Sequence, residues 1–101
     1  MNRFIATEWV YERTCDDEDY VPWDAEVTIA DHAISVYCPH TSHQTSISFE
    51  DFSYLLQHPT EIINGASLTT ELSYPDNFYS LVIGSFYIPL PDLQKLIKSM
   101  A

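Results

Sequence analysis

The chain has 101 residues, 46% of them hydrophobic and 19% charged, which suits one compact domain and is too apolar for a disordered acidic tail. Fifteen acidic residues against four Lys and Arg give a formal net charge of −11, which excludes nucleic-acid phosphates and anionic membranes as main binding partners. The longest uncharged apolar-rich run, residues 78–91, is shorter than the roughly 20 residues of a membrane helix. The N-terminus lacks the basic region of a secretion signal. We therefore expect one cytoplasmic domain over residues 1–101.

The first part of the chain, residues 1–25, is predicted to contain a strand followed by an acidic loop. Residues 4–12 favour a strand, although the helical spacing of Ile5 and Trp9 leaves a helix open. Four consecutive acidic residues open the segment 16–24, which we interpret as a loop. The alternation of apolar and polar residues resumes at residue 26.

The next segment predicts a hairpin and a short helix. Apolar residues alternate with polar ones on both sides of a turn at Asp31 and His32, as in two antiparallel strands. After a strand that ends near Ile47, Ser48 and Asp51 stand at the spacing of a helix cap. Pro59 ends this helix, whose apolar stripe consists of Phe49, Phe52, Leu55 and Leu56.

The second half of the chain repeats this order. Strands are predicted over residues 68–72, 78–83 and 85–88, with a turn at 74–77. Pro91 then suits the first turn of a second helix. The apolar stripe of that helix consists of Leu90, Leu93, Leu96, Ile97 and Met100.

These elements predict an α+β fold that contains an internal repeat. Residues 47–57 match residues 88–98 at an offset of 41, with apolar residues and one Asp in register. We divide the domain into a first repeat, residues 26–58, and a second repeat, residues 66–101. The expected architecture is an antiparallel sheet of about six strands with two helices on one face, built from two strand-strand-strand-helix units.

The charges are concentrated near the N-terminus, together with large aromatic residues. Nine of the fifteen acidic residues lie between Glu8 and Asp31, interleaved with Trp9, Tyr11 and aromatic residues further along. This mixture is typical of protein interfaces; the alternative is a solvated acidic surface with Trp9 and Trp23 as core residues. The candidate partner-binding residues are Glu8, Glu12, Asp16, Asp17, Glu18, Asp19, Tyr20, Trp23, Asp24 and Glu26.

No catalytic pattern stands out, and we expect neither an enzyme nor a cofactor. Cys38, His40 and His43 lie within six residues, and Cys15 could complete a tetrahedral zinc site. Structural zinc sites usually pair their ligands in two clusters, which this spacing does not provide, so zinc stays a minor alternative. In a cytoplasmic protein we expect both cysteines to be free thiols.

The sequence therefore favours a non-enzymatic, acidic protein-binding module. By analogy with DNA-mimic inhibitors, its negative surface would block the basic surface of a nucleic-acid-handling partner, as in phage counter-defence against restriction or CRISPR systems. An immunity protein that neutralises a basic nuclease toxin is one alternative. A homo-oligomeric structural module, such as a homodimer, is another.

Overall fold

The computed structural model describes residues 3–13, 18–70 and 79–99, which form a single antiparallel sheet and two helices. In chain order the elements are β1 (Arg3–Arg13), β2 (Glu18–Ala30), β3 (Ala33–Tyr37), β4 (Gln44–Ser48), α1 (Phe49–Gln57), β5 (Ile62–Ile63), β6 (Ala66–Thr70), β7 (Tyr79–Ile83), β8 (Phe86–Pro89) and α2 (Leu90–Ser99). The strand order across the sheet is β4-β3-β2-β1-β8-β7-β6-β5. The α+β class and the antiparallel sheet are confirmed, but the sheet has eight strands rather than about six.

The N-terminal region contains more strand than its sequence predicts. β1 confirms the strand over residues 4–12, but the interpretation of residues 16–24 as a loop is wrong from Glu18 onward, where β2 begins. Tyr20 pairs with Tyr11 across the two strands, and this pairing extends β2 through the acidic segment. The two-residue strand β5 was not predicted because it is too short to show an alternating pattern.

Both helices begin where local residues predict, and α1 also ends there. The Ser48 side chain accepts a hydrogen bond from the Asp51 backbone N–H at 3.1 Å, and α1 ends two residues before Pro59. Pro91 lies in the first turn of α2, and Lys98 in its last turn complements the helix dipole. Neither helix is long and apolar enough to cross a membrane, and the described residues contain no other helix.

One hydrophobic core joins the sheet to both helices. Alternate residues of the strands point to one face, which we call the inner face, and pack there with Phe52 and Leu55 of α1 and with Leu93 of α2. α1 lies against β4 at one end of the strand order and against β5 and β6 at the other, so the sheet curls around the core. The free thiol of Cys38 is fully buried in this core.

The order of elements agrees with the predicted repeat. Strands β2, β3 and β4 precede α1, and strands β6, β7 and β8 precede α2. We predict that segments 26–57 and 67–98 superpose as two copies of one strand-strand-strand-helix unit, and this stays a prediction. The turn predicted at 74–77 and Met100 lie outside the described residues.

Candidate functional site

Strand alternation divides the predicted acidic and aromatic cluster between two faces of the sheet. We call the face opposite the core the outer face; it carries Trp9, Tyr11 and Tyr20. Glu8, Glu12 and Trp23 are in the other phase of the alternation and belong to the inner face. Residues that are adjacent in sequence therefore serve two different structural roles.

The inner-face Glu8 is a fully buried carboxylate at the centre of a polar cluster. Its Oε1 accepts a hydrogen bond from Thr41 Oγ1 at 2.5 Å, and its Oε2 lies 2.7 Å from His43 Nδ1. Ser85 Oγ donates to the same Oε2 at 2.6 Å, and the Cys38 thiol also hydrogen-bonds the carboxylate. Through these hydrogen bonds Glu8 of β1 connects to two turns, the one between β3 and β4 and the one between β7 and β8.

This environment keeps Glu8 ionised over most of the pH range. Burial raises the pKa of Glu8, but hydrogen bonds from four side chains outweigh that effect and lower the pKa from 4.5 to about 2. An ionised carboxylate can only accept hydrogen bonds, so the Nδ1 of His43 must carry a hydrogen. The exposed imidazole of His43 is therefore held in one orientation by a buried anion.

A second inner-face contact involves Glu12, Trp23 and His40. The Trp23 indole N–H donates to Glu12 Oε1 at 3.0 Å, and His40 Nε2 lies 3.5 Å from the same oxygen. The imidazole of His40 stacks on the Trp23 indole with a centroid distance of 3.5 Å and an interplanar angle of 14°. Trp23 is thus half-buried under the turn between β3 and β4. Of the aromatic residues of β2, Tyr20 is the one that is exposed on the outer face.

The outer face carries an exposed aromatic patch. Tyr11 and Tyr20 make an edge-to-face contact at 5.5 Å, and Thr7 lies opposite Tyr87 of β8. Trp9, Tyr20 and Tyr87, together with Gly84 and Ser85, line an open depression that we call the aromatic depression. The patch also includes Ile5 of β1 and Tyr37 of β3.

Three residues of the aromatic patch, Trp9, Tyr11 and Tyr20, lie on the paired ends of β1 and β2. We call these paired ends, residues 9–13 and 18–24, the ribbon. Within the described chain, β8 is in register with β1 only at Thr7 and Glu8, and β3 is in register with β2 only from Glu26 onward. The molecule measures 48 × 29 × 25 Å. An elongated shape and a ribbon with few strand neighbours leave these side chains accessible to a partner.

The other predicted partner-binding residues have different surroundings. Asp19 and Asp24 are exposed, and Glu26 forms an exposed ion pair with Arg3 at 3.4 Å. Glu18 pairs with Arg13 in the β1–β2 ladder. Asp16 and Asp17 lie outside the described residues. Because Glu8 is buried, it is not part of the accessible surface.

The zinc alternative receives no geometric support from the described residues. Cys38 and His43 both contact Glu8, whereas His40 stacks on Trp23. Residues 3–13, 18–70 and 79–99 contain no group of three or more His, Cys, Asp and Glu arranged to hold a metal ion. Cys15, the fourth ligand of that hypothesis, lies outside these ranges.

The two lysines lie far from the acidic segment in sequence, on the helical layer. Lys95 and Lys98 of α2 line a groove between the helices, together with Phe52 and Leu56 of α1. They are the only lysines of the chain. Two of the four cationic residues thus lie on α2 and the other two, Arg3 and Arg13, lie on β1, while β1, β2 and their connection contain most of the acidic residues.

Two features of the site escaped sequence reasoning. Tyr87 is far from the acidic segment in sequence, and only the pairing of β1 with β8 brings it to the patch. The burial of Glu8 could have been predicted, because Glu8 follows Phe4 and Ala6 at the inward-facing positions of the strand alternation.

Comparisons of the chain with protein-family models, curated proteins and solved structures returned no significant match.

Proposed function

We propose that this protein is a non-enzymatic, cytoplasmic binding module that occupies the basic surface of a nucleic-acid-handling partner, as DNA-mimic inhibitors in phage counter-defence do. The observation that carries this proposal is the exposed aromatic patch on the ribbon of a protein with a net charge of −11. Exposed Trp and Tyr side chains are typical of residues that hold a complex together. A strongly negative field accelerates encounter with a basic partner.

Contacts within the ribbon support the use of its outer face. The Glu12 and Trp23 side chains bond to each other on the inner face, so they are already engaged within the protein. Trp9, Tyr11 and Tyr20 remain 38–61% exposed on the outer face. Asp24 is exposed in the same strand and lies opposite Thr7. The outer face thus combines apolar contact area with negative charge.

Affinity capture tests the proposal and separates it from its alternatives. The protein is immobilised and incubated at low salt with lysate of its source, with and without excess duplex DNA of unrelated sequence. We expect a basic protein to be retained, to elute at moderate salt and to be displaced by the DNA. A retained nuclease toxin would favour the immunity alternative. Salt-resistant self-association in light scattering would instead favour the homo-oligomeric module and contradict the proposal.

The acidic residues at the start of β2 and before it are expected to control association. Changing Asp16, Asp17 and Asp19 to Asn and Glu18 to Gln should slow association with the captured partner about tenfold at low salt, because the local field weakens. A matched control makes the same change in net charge elsewhere: Glu50→Gln, Asp51→Asn, Glu61→Gln and Asp92→Asn. Stopped-flow mixing or surface plasmon resonance measures both rates. Equal slowing in both variants would show that net charge alone acts.

The outer-face aromatic residues are expected to control dissociation. Trp9→Ala should weaken the complex about 30-fold, or about 2 kcal/mol, mainly through faster dissociation, because a desolvated anchor is lost. Tyr54→Ala is the control, since Tyr54 is also exposed but belongs to α1. Surface plasmon resonance with the captured partner gives both rate constants. An unchanged dissociation rate in Trp9→Ala would place the contact on another surface.

A further inference from the structure

The aromatic depression on the outer face has the composition of a site for an organic cation. Its lining contains the rings of Trp9, Tyr20 and Tyr87, which are 38%, 61% and 37% exposed. The faces of such rings carry negative electrostatic potential and attract guanidinium and ammonium groups. Three rings around one open depression therefore provide several surfaces on which a flat cation can stack.

The polar groups of the depression also favour a cation. Ser85 lines the depression and donates its hydroxyl hydrogen to the buried carboxylate of Glu8 at 2.6 Å, so this hydroxyl has no hydrogen left to donate to a ligand. Glu8 is ionised, and its Oε2 is the atom that accepts from this hydroxyl. The backbone carbonyl of Ser85 accepts a hydrogen bond from the backbone N–H of Trp9 at 2.9 Å, which fixes the position of the turn. Toward a ligand the Ser85 side chain can therefore only accept a hydrogen bond, and the nearest carboxylate to it is negatively charged.

A second carboxylate lies on the same face. Asp24 is opposite Thr7 in the β1–β2 pair, and Thr7 is opposite Tyr87 in the β1–β8 pair. Neighbouring strands are about 4.8 Å apart, so the backbones of Asp24 and Tyr87 are separated by roughly 10 Å. Asp24 is exposed and makes no contact that would neutralise it in the described structure. Asp24 therefore adds a negative charge to the face that carries the depression.

We propose that the aromatic depression binds the guanidinium group of an arginine side chain presented by the partner protein. This inference rests on the proposed function, because it identifies which side chain of a basic surface the outer face receives. A planar guanidinium can stack on the rings and donate its N–H groups to an acceptor of the lining, whereas an ammonium group is a compact point charge.

Small-molecule titration tests this site without the partner. The probe is N-acetyl-arginine amide, added to ¹⁵N-labelled protein while the indole N–H signals of Trp9 and Trp23 are followed by NMR. N-acetyl-norleucine amide is the neutral control, and tetramethylammonium distinguishes a guanidinium site from a general cation site. We expect saturable shifts of the Trp9 signal with the arginine probe, weaker shifts with tetramethylammonium, and a Trp23 signal that changes little.

Variants locate the binding, which is followed in them by the backbone amide signal of Gly84, because replacing Trp9 removes its indole signal. Trp9→Leu and Tyr87→Leu should each weaken binding of the arginine probe about fivefold or more, with Trp9→Phe in between, because the π surface is lost or reduced. Tyr54→Leu, on α1, should leave binding unchanged. The amide spectrum of each variant shows whether the fold is intact. Asp24→Asn should also weaken binding of the arginine probe, and because Asp24 is exposed, this change does not disturb the core.

The titration tests the arginine site, and affinity capture tests the proposed function, so the two can fail separately. Equal shifts with the norleucine and arginine probes, a stronger response to tetramethylammonium, or no loss of binding in Trp9→Leu and Asp24→Asn would each overturn the arginine site. If the probe fails but a basic partner is still captured and displaced by DNA, only this inference fails. If the probe binds but no such partner is captured, the proposed function fails and the cation site stands.

Discussion

Replacing Glu8 by alanine is expected to lower the free energy of unfolding by about 3–5 kcal/mol, because the change removes the acceptor that four side chains share inside the protein. The hydroxyls of Thr41 and Ser85 would lose their acceptor, and the two turns that they belong to would lose their connection to β1. Glu8→Gln should cost about 2 kcal/mol, since its amide retains one acceptor oxygen but presents an NH₂ group to the remaining donors.

Urea unfolding followed by tryptophan fluorescence measures these losses. Glu26→Gln is the matched control, because Glu26 belongs to the adjacent strand but forms only an exposed ion pair with Arg3. Its effect should stay below about 1 kcal/mol. If Glu8→Ala unfolded at the same urea concentration as Glu26→Gln, the buried polar cluster would contribute nothing to the fold.

Acid should abolish the contribution of Glu8 to stability. The pKa of Glu8 is about 2 in the folded protein and 4.5 ordinarily, so the unfolded chain takes up the proton first as the pH falls. The stabilisation is therefore complete above about pH 5 and decreases progressively toward pH 2. A lowering of this size corresponds to about 3 kcal/mol.

The comparison of wild type with Glu8→Gln isolates this effect from the other acidic residues. Protonation of the exposed carboxylates reduces repulsion in a protein of net charge −11, and this can stabilise the wild type and the variant alike. We expect the difference in unfolding free energy between the two proteins to shrink as the pH falls from about 5 to 2. A difference that stays constant over this range would show that the pKa of Glu8 is not lowered.

Local sequence patterns predicted most of the elements. The cap formed by Ser48 and the position of Pro59 defined α1, because both act on residues within one or two turns. The strand around residues 4–12 and the hairpin at Asp31 and His32 were also predicted by alternation and turn residues. The start of β2 was missed because its acidic residues suggest a loop, and only pairing with β1 makes a strand of them.

The candidate site depended more on tertiary structure. The sequence located negative charge and aromatic residues in one segment, but strand alternation sends Trp9 and Tyr20 to the outer face and Trp23 to the inner face. A correct strand prediction for residues 18–24 would have made this separation visible. The contribution of Tyr87 could not be predicted, because it requires knowledge of which strand pairs with β1.

The net charge, the helix caps and most of the strands of this protein follow from its sequence without knowledge of the tertiary structure. Residue types decide net charge, helix caps and strand alternation, since these depend on composition or on neighbours a few residues away. The contacts of Glu8 with Thr41, His43 and Ser85, which are 33, 35 and 77 positions away, depend on the three-dimensional arrangement of the strands. Such contacts follow from the order of strands in the sheet, which side-chain periodicity along one strand does not encode.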